Sequence, residues 1–507
     1  MNLNSERPSS IRTRIVWISV LMAFGLYLTR ISMGEMVKSE SFLTDPTLVN
    51  APSTRFSVDL TKVQDESQVK QLIAELQQRS GQKESAANVK TPMTLRDNLT
   101  KQEADELLSR LEASGGEGFI RISKQQIGSI LGGFFFTYAL LQVPAGWFSD
   151  RMGARRVLTV YILFWSLLTG LTGLVSSLGG LLVARLAFGL AQAGAYPTSS
   201  SIVRRWFPLS ERGHASALIS FGGRLGGTAA PYLTIFLIWN AGGWRPTLLM
   251  YGIAGIAIAI SYYLIVRNRP SEHSACNQAE RDLIGTLPDD RRPETRHVLM
   301  MLKACCLSRS LWLNSLGQFC VNIGWAFLVT WLPTYLKEVQ KVPEQQGALM
   351  LSIVLAMGML GQLIGGSATD WSVRRFGLRI GRVLPITISS FIAGIAYLCC
   401  LGIDSVWGII ACCAVVSMMT DVANPSIWAF MQDVGGRNTG AIFGWANMWG
   451  NLGAAASSKV VPLLLVYGSN DGSGQSLVFV TCAVAFFVAG ISALGMDATK
   501  PLRTATD

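Results

Sequence analysis

Three arginines stand inside segments that are otherwise apolar: Arg30, Arg185 and Arg224. Burying a charge in such a segment is costly and usually serves function. A guanidinium can grip a carboxylate through two parallel hydrogen bonds, so three converging arginines would make a strongly anion-attracting cavity. The plain alternatives are that Arg30 snorkels to an interface, that Arg185 ties helices together, and that Arg224 pairs with an acid. Around them stand polar and aromatic candidates to complete a cavity: Tyr27, Gln192, Tyr196, Gln318, Asn322, Trp325, Trp428, Asn447 and Asn451. Helical spacing puts Gln318, Asn322 and Trp325 on one face, and Asn447 and Asn451 on another. Amides can bind hydroxyls and a tryptophan can stack on an apolar ring face; helix–helix hydrogen bonding and interfacial anchoring are the bland readings of the same residues.

Enzyme chemistry has little to stand on. The histidines are His214, His273 and His297, all in or beside basic turns, and their spacing does not suggest metal ligation. A phosphate-cradling Walker loop is missing, so ATP driving is not expected, and neither a metal nor a cofactor is expected.

The elements that must position these residues are membrane-length. The chain has 507 residues, half of them hydrophobic, with 15% charged and a mean hydropathy of +0.36. A soluble globular chain usually carries about a quarter charged residues. The apolar excess falls into runs of roughly 20 residues, the length that crosses a bilayer core. We expect an all-α polytopic membrane protein with twelve spans. The first six are Ile15–Met36, Gln126–Phe148, Val157–Ser177, Leu178–Val203, Gly213–Trp239 and Thr247–Val266. The second six are Leu311–Leu336, Gly347–Ala368, Val383–Leu401, Val406–Met431, Thr439–Val466 and Gln475–Leu494. Arg30 interrupts the first run and no small-residue cleavage site follows it directly, so it reads as a retained helix rather than a signal peptide. Residues 1–266 and 304–507 read as two six-helix halves, and 267–303, charged and carrying Pro270, Pro288 and Pro293, as a linker with a short surface helix near Ala279–Ile284.

The net charge of +11 could suggest nucleic acid. Its placement in short turns on one side of the spans instead follows the positive-inside rule, which puts that side, and both termini, in the cytoplasm. The nine cysteines include three adjacent pairs, in or beside apolar segments, and read as small hydrophobes. The exception to the short turns is Val37–Lys124, a polar stretch placed outside by parity. Val69, Leu72, Ile73 and Leu76 have helical spacing, as do Leu95, Leu99, Leu107, Leu108 and Leu111. Thr100-Lys-Gln-Glu103 has the form of a capping box. An external helical hairpin is expected, with a disordered segment as the alternative.

The halves repeat one another. Gly146-Trp-Phe-Ser-Asp150-Arg151-Met-Gly153-Ala-Arg155-Arg156 closes one apolar segment and opens the next. Gly366-Ser-Ala-Thr-Asp370, with Arg374-Arg375-Phe-Gly377 after it, does so again at an offset of 220 (150 against 370). Ala195-Tyr-Pro197-Thr matches Ala423-Asn-Pro425-Ser, and Gly223-Arg224-Leu-Gly226 matches Gly450-Asn451-Leu-Gly453. In such repeats a substrate site usually lies at their interface near the midplane. Gly146 would let two helices approach closely, and Asp150 could accept hydrogen bonds at the N-terminus of a neighbouring helix and pair with an arginine. Gly146, Asp150, Arg151, Gly153, Arg155, Arg156, Asp370 and Arg374 are therefore candidates for a conformational latch.

That turn resembles the signature of the major facilitator superfamily, and the resemblance covers nearly the whole chain apart from the insertion. Within it the chain resembles the anion:cation symporter family through Arg185-Leu-Ala-Phe-Gly189-Leu-Ala-Gln192-Ala-Gly-Ala-Tyr196-Pro197-Thr198. Arg204-Arg-Trp206-Phe207-Pro208 with Glu211-Arg212-Gly213, Asn268-Arg-Pro-Ser-Glu272-His273 with Ala279-Glu280-Arg281, and Trp331-Leu-Pro333-Thr-Tyr335-Leu continue the match. The resemblance implies a carrier of a small organic anion such as a sugar acid, with Arg30 and Arg185 on the substrate, lodged in a bacterial inner membrane. A monomer with a small-anion substrate, a co-transported proton or sodium ion, and no nucleic-acid partner is expected.

Two departures bear on coupling. Proton-coupled relatives carry aspartate where Thr29 stands and glutamate where Gln192 stands, and neither replacement titrates. Arg224 stands where the family more often has glutamine. The remaining acids near the spans are Glu35, at an outer mouth, and Asp421, which could carry a proton, bind sodium or neutralise an arginine or Lys459. An organophosphate–phosphate exchanger also fits the Tyr27-x-x-Arg30 spacing, although such carriers usually add an arginine in the seventh span and none lies between Leu311 and Leu336. A non-transporting sensor is the other alternative.

Overall fold

The computed structural model describes residues 7–63, 66–80, 93–285, 298–467 and 474–502. Pro288, Pro293 and His297 lie outside these residues. Each of the twelve expected spans falls on a helix. The first is Ile11–Met36, the second Lys124–Met152, the third Ala154–Thr172, and the fourth Leu178–Ala193 continued as Ala195–Trp206. The fifth is Arg212–Ala241 and the sixth Trp244–Ile265. The seventh begins as Arg309–Ala326 and runs on through two wide π turns, Phe327–Trp331 and Tyr335–Val339, on either side of Pro333. The eighth and ninth form one run, Glu344–Cys399, broken at Gly377. Val406–Gly435, Thr439–Tyr467 and Gly474–Leu494 complete the set.

By length and composition nine helical stretches among the described residues could cross a membrane; two of these, Gln345–Gly402 and Val406–Leu464, each hold two of the expected spans, and the fifth expected span, on Arg212–Ala241, is not among them. The protein is a multi-pass membrane protein. Its outer surface agrees with that: Phe136, Tyr232, Trp239, Ile253 and Leu463 are each at least two-thirds exposed on helices that have no aqueous reason to show them.

The duplicated turn is built the same way twice. Gly153, between the second and third spans, has φ +94°, and Gly377, between the eighth and ninth, has φ +76°. Both are left-handed backbone positions that favour glycine. Within each half, one helix pair packs backbone to backbone, the first span on the fifth and the seventh on the eleventh. A side chain on Gly226 would start 2.2 Å from the Phe24 carbonyl oxygen, and one on Gly453 2.1 Å from that of Phe319. These are the glycines of the Gly-x-x-Gly repeat read from sequence. The halves meet where the second span packs on the eleventh and the fifth on the eighth.

The linker is tied back to the start of the chain. Its short helix, Gln278–Ile284, carries Glu280, which is fully buried. That carboxylate accepts hydrogen bonds from the amides of Ile11 (3.0 Å) and Arg12 (3.1 Å) and from the Ser9 hydroxyl. It thereby satisfies donors left open at the N-terminus of the first span. Burial pushes the Glu280 carboxyl up, but these hydrogen bonds and the nearby Arg12 charge outweigh it and hold the group below its ordinary value.

The insertion departs from the expected helical hairpin. It is an α/β module: strand β1 (Phe56–Val63), a helix at Glu66–Ser80, strand β2 (Met93–Leu99), a helix at Lys101–Ala113 and strand β3 (Gly116–Ile122). The sheet is antiparallel in the order β2-β1-β3. Leu107 and Leu111 lie on a helix as expected, but Leu95 and Leu99 belong to β2. The capping box is formed, with Thr100 at the N-cap, so the helix cannot extend back to include them. Two single-striped helices cannot close a core alone; here Phe56, Val58, Leu60 and Leu99 of the sheet pack on Val69, Leu72, Ile73, Ala104, Leu107 and Leu111.

The module is seated on the N-terminal half. Asp45 accepts from the Arg245 guanidinium (2.8 Å) and the Trp244 indole (3.1 Å), and Arg245 also donates to the carbonyls of Gly173 and Val175, each at 2.8 Å. Burial pushes the Asp45 carboxyl up, but the hydrogen bonds from Arg245, Thr47 and Trp244 prevail and hold it well below the usual carboxylate range. A second seat joins Arg55, whose amide donates to Gln126 Oε1 at 2.8 Å, to the start of the second span.

Candidate functional site

Arg30 and Arg185 come together. Arg30 sits on the first span and reaches the fourth, where its Nε donates to Gln192 Oε1 at 3.1 Å. Its guanidinium lies over the rings of Tyr138 (4.4 Å), Tyr27 (4.7 Å) and Phe134 (5.0 Å). Arg185 is 5% exposed and lies over Phe188 (4.9 Å) and the same Phe134 ring (5.3 Å). Arg30 Nη2 and Arg185 Nε are buried without a hydrogen-bond partner among the described residues. Aromatic faces stabilise such cations without consuming their N–H groups. Two guanidinium groups thus share one aromatic ring with unspent donors, an arrangement suited to an anion.

Thr29 and Gln192, which stand where the resemblance implies acids, touch each other. Gln192 Nε2 donates to Thr29 Oγ1 at 3.3 Å and to the Leu26 carbonyl at 3.2 Å. The position is filled by a neutral hydrogen-bonded pair, and Gln192 holds Arg30 in place. Tyr196 stands edge-on to Tyr27 (6.1 Å between centroids) and to Trp428 of the tenth span (5.0 Å), bridging the halves.

Arg224 behaves differently from the other two arginines. Its Nη2 meets Asp421 Oδ1 of the tenth span at 2.6 Å, and its guanidinium lies 5.0 Å over the Trp325 ring of the seventh. The third arginine is paired across the halves rather than left open beside the first two. Of the C-terminal candidates, Asn322 donates to the Gln318 carbonyl at 2.8 Å and lies against Gly450. Asn451 donates to the Asn447 carbonyl at 2.8 Å within its own helix. Asn447 donates to Gln142 Oε1 of the second span at 2.6 Å, so it joins the halves. Glu35 lies apart, paired with Lys38 at 3.0 Å and lining an open cleft of ≈ 530 Å³ with Ser39, Glu40, Thr44 and Trp239.

At the end of the molecule that carries both duplicated turns, the two aspartates cross over. Asp150 accepts from the amides of Gly440 and Ala441, each at 3.0 Å, at the N-terminus of the eleventh span, and from Ser201 Oγ at 2.8 Å. Asp370 accepts from the amides of Gly213 (2.9 Å) and His214 (2.8 Å) at the N-terminus of the fifth. Each half therefore caps a helix of the other, and both carboxylates are under 5% exposed. Glycines make room: a side chain on Gly146 would start 2.1 Å from the Gly440 carbonyl oxygen. Arg155 donates to the Tyr263 carbonyl (Nη2, 2.8 Å) and stacks on that ring, and its amide donates to Asn268 Oδ1 at 2.9 Å. A side chain on Gly153 would start 3.1 Å from Asn268. Arg151 stacks on Trp147 at 5.4 Å, and Arg374 Nε donates to the Asp370 carbonyl at 3.3 Å. Neighbouring Arg156 continues the basic turn.

Several residues here escaped the sequence reading. Asp433 is clasped by Arg212 (2.5 Å) across the halves and by Arg382 (2.7 Å). Tyr138 and Phe134 form the aromatic bed of the arginines. Gln142 and Gln362 each stand four residues before Gly146 and Gly366, a spacing that repeats at the same offset as the aspartates and could have been read.

Known proteins give this geometry a context. Residues 85–458 match the sequence profile of the Major Facilitator Superfamily. The probable sulfoacetate transporter SauU of Cupriavidus necator is 28% identical over 388 residues, covering 76% of this chain and 87% of that protein. The probable galactarate/D-glucarate transporter GudP of Escherichia coli is 28% identical over 379 residues, covering 70% and 81%. A D-galactonate transporter of Escherichia coli is 30% identical over 290 residues, covering 54% and 66%. Among solved structures, the human organic anion transporter TETRAN superposes with a TM-score of 0.60 at 15% identity, covering 96% of this chain and all of that one. The Escherichia coli fucose:proton symporter FucP does so at 0.57 and 12%, covering 94% and 98%. At these identities the likeness is one of fold.

Proposed function

Because this chain belongs to the major facilitator superfamily, and is a carrier rather than an enzyme, we propose that it moves a small organic anion, a sugar acid of the hexuronate or aldarate kind, by alternating access. The observation that carries this reading is the pair of guanidinium groups of Arg30 and Arg185 on the shared Phe134 ring, each with a buried donor unspent. A carboxylate takes up those donors bidentately. The names of the relatives, all transporters of small organic acids, support the same class.

In this reading residues 1–266 and 304–507 are six-helix halves, joined by the linker 267–303, that rock about the site. Tyr27, Gln192 and Tyr196 line it from the first half; Gln318, Asn322, Trp325 and Asn451 read the rest of the substrate from the second. The crossed Asp150 and Asp370 caps hold the end with the basic turns closed. The charge rule supports a cytoplasmic side for that end, and the reading takes the protein as a monomer in a bacterial inner membrane.

The test is uptake of radiolabelled D-glucarate, D-galactonate and sulfoacetate into proteoliposomes, by wild type and by Arg30→Ala and Arg185→Ala. Uptake of at least one anion by wild type, and its loss in both variants, is expected. Full uptake by both variants would refute the site. Substrate-induced thermal stabilisation without flux would make the protein a sensor instead.

A further inference from the structure

We propose that the Arg224–Asp421 ion pair is the proton-loading element of this carrier, taking over the task that the neutral Thr29–Gln192 pair cannot perform. The inference rests on the anion-carrier reading above and adds the coupling ion, its site and its link to the substrate.

Four observations point there. First, Asp421 is the one carboxylate among the described residues that stands inside the spans and away from their ends; Asp150, Asp370 and Asp433 are all engaged at the end with the basic turns. Second, the pair is the last rung of a ladder between the halves. Along the fifth span, Gly213 meets Asp370, Ser216 accepts from Gln432 (3.0 Å), Ser220 accepts from Asn424 (3.2 Å) and Arg224 meets Asp421. The rungs fall about one helical turn apart.

Third, the ladder on the other side lacks this rung. In the eleventh span Gly440 meets Asp150 and Asn447 meets Gln142, but Asn451, the repeat partner of Arg224, turns back on its own helix. The charge pair thus stands on one side of the twofold repeat, with a plain amide on the other. Fourth, the pair adjoins the anion site. A side chain on Gly223 would start 3.0 Å from the Tyr27 ring, and Arg30 lies on that ring.

The groups around Asp421 are few. From the fifth span it faces Arg224, and from the seventh Trp325 lies on that guanidinium. From the eighth it meets Gly358, where a side chain would start 2.7 Å from Asp421 Oδ2 and 2.6 Å from Ser417 Oγ. Besides Asp421, Tyr27 and Tyr196 are titratable groups that act on the Arg224 charge.

The step balances simply. A proton from the outer solution binds an Asp421 oxygen, the Nη2–H···Oδ1 bond breaks, and the carboxyl becomes neutral. The freed guanidinium then adds its charge to the attraction for the anion on Arg30 and Arg185. On the other side the carboxyl returns its proton to water and the ion pair re-forms as the anion leaves. One proton crosses with each anion.

The experiment uses the anion taken up in the panel above, with proton and sodium gradients imposed separately. Wild type accumulates a monoanion up to about tenfold for one unit of inward pH gradient, and a sodium gradient alone drives nothing. In Asp421→Asn the inside-to-outside ratio falls to one, and homoexchange, at whatever rate survives, no longer varies with pH. Asp421→Glu keeps pH-driven accumulation. Arg224→Gln displaces the midpoint of the pH dependence, which a mere strut would leave in place; this variant decides the matter if Asp421→Asn does not fold. Proton-driven accumulation by Asp421→Asn, accumulation driven by sodium alone, or wild-type exchange without proton-driven accumulation would each overturn the proposal. A wild type that exchanges none of the anions would overturn the carrier reading instead.

Discussion

Asp150→Asn removes a charge while keeping the side chain's shape. The carboxylate faces two backbone N–H groups of the eleventh span, each at 3.0 Å, with Ser201 as a third donor. An amide offers one acceptor oxygen and turns an NH₂ toward a donor. A carboxylate at a partly buried helix N-terminus contributes up to about 2 kcal/mol. Its loss shifts the ratio of closed to open forms at this end by roughly 30-fold, since 1.4 kcal/mol is tenfold. The assay is the rate at which Ser216→Cys, buried between the halves, reacts with a water-soluble maleimide in a background lacking the native cysteines. Asp150→Asn should raise that rate by roughly 30-fold. Asp370→Asn should raise it to a similar degree, because it faces two amides of the fifth span in the same way. An unchanged rate in both variants would refute the idea that the crossed caps hold this end shut.

Gly146→Ala should be at least as disruptive, because the new methyl starts 2.1 Å from a backbone oxygen that cannot swing aside; transport in proteoliposomes should drop more than tenfold. Asp45→Ala breaks a half-buried ion pair and should loosen the insertion by about 2 kcal/mol, seen as faster proteolysis between residues 37 and 124. Since the Asp45 carboxyl is held below its ordinary value, its stabilisation is complete above the unfolded carboxylate range and is lost only as pH falls through the folded value. Wild-type proteolysis should therefore be the same at pH 7 and pH 5. Glu280→Gln should speed amide hydrogen exchange at Ile11 and Arg12, whose N–H groups it now holds.

The spans were legible because period and length speak locally: twenty apolar residues need a helix in lipid whatever surrounds them. The capping aspartates were legible because duplication printed them twice. The sheet of the insertion was not read, although Phe56, Val58 and Leu60 alternate and the Thr100 cap already excluded Leu95 and Leu99 from the helix. Three short strands carry a weaker pattern than one amphipathic helix, and the leucines run across the boundary between β2 and the helix that follows. The partner of Arg224 lies 197 residues away, as does much of what fixes the site. Phe134 and Tyr138 act through ring faces, and no spacing rule tells an aromatic that holds a cation from one that fills a gap.

The α/β module, fastened at Asp45 to the sixth span and at Arg55 to the second, has a mechanical consequence. It is a lever arm rooted in the N-terminal helices. If the halves rock as proposed, any tilt of those helices against their partners is enlarged at the module's far edge, so a pair of fluorophores, one on its Lys101–Ala113 helix and one at the Val406 end of the tenth span, would register each stroke as a change in distance.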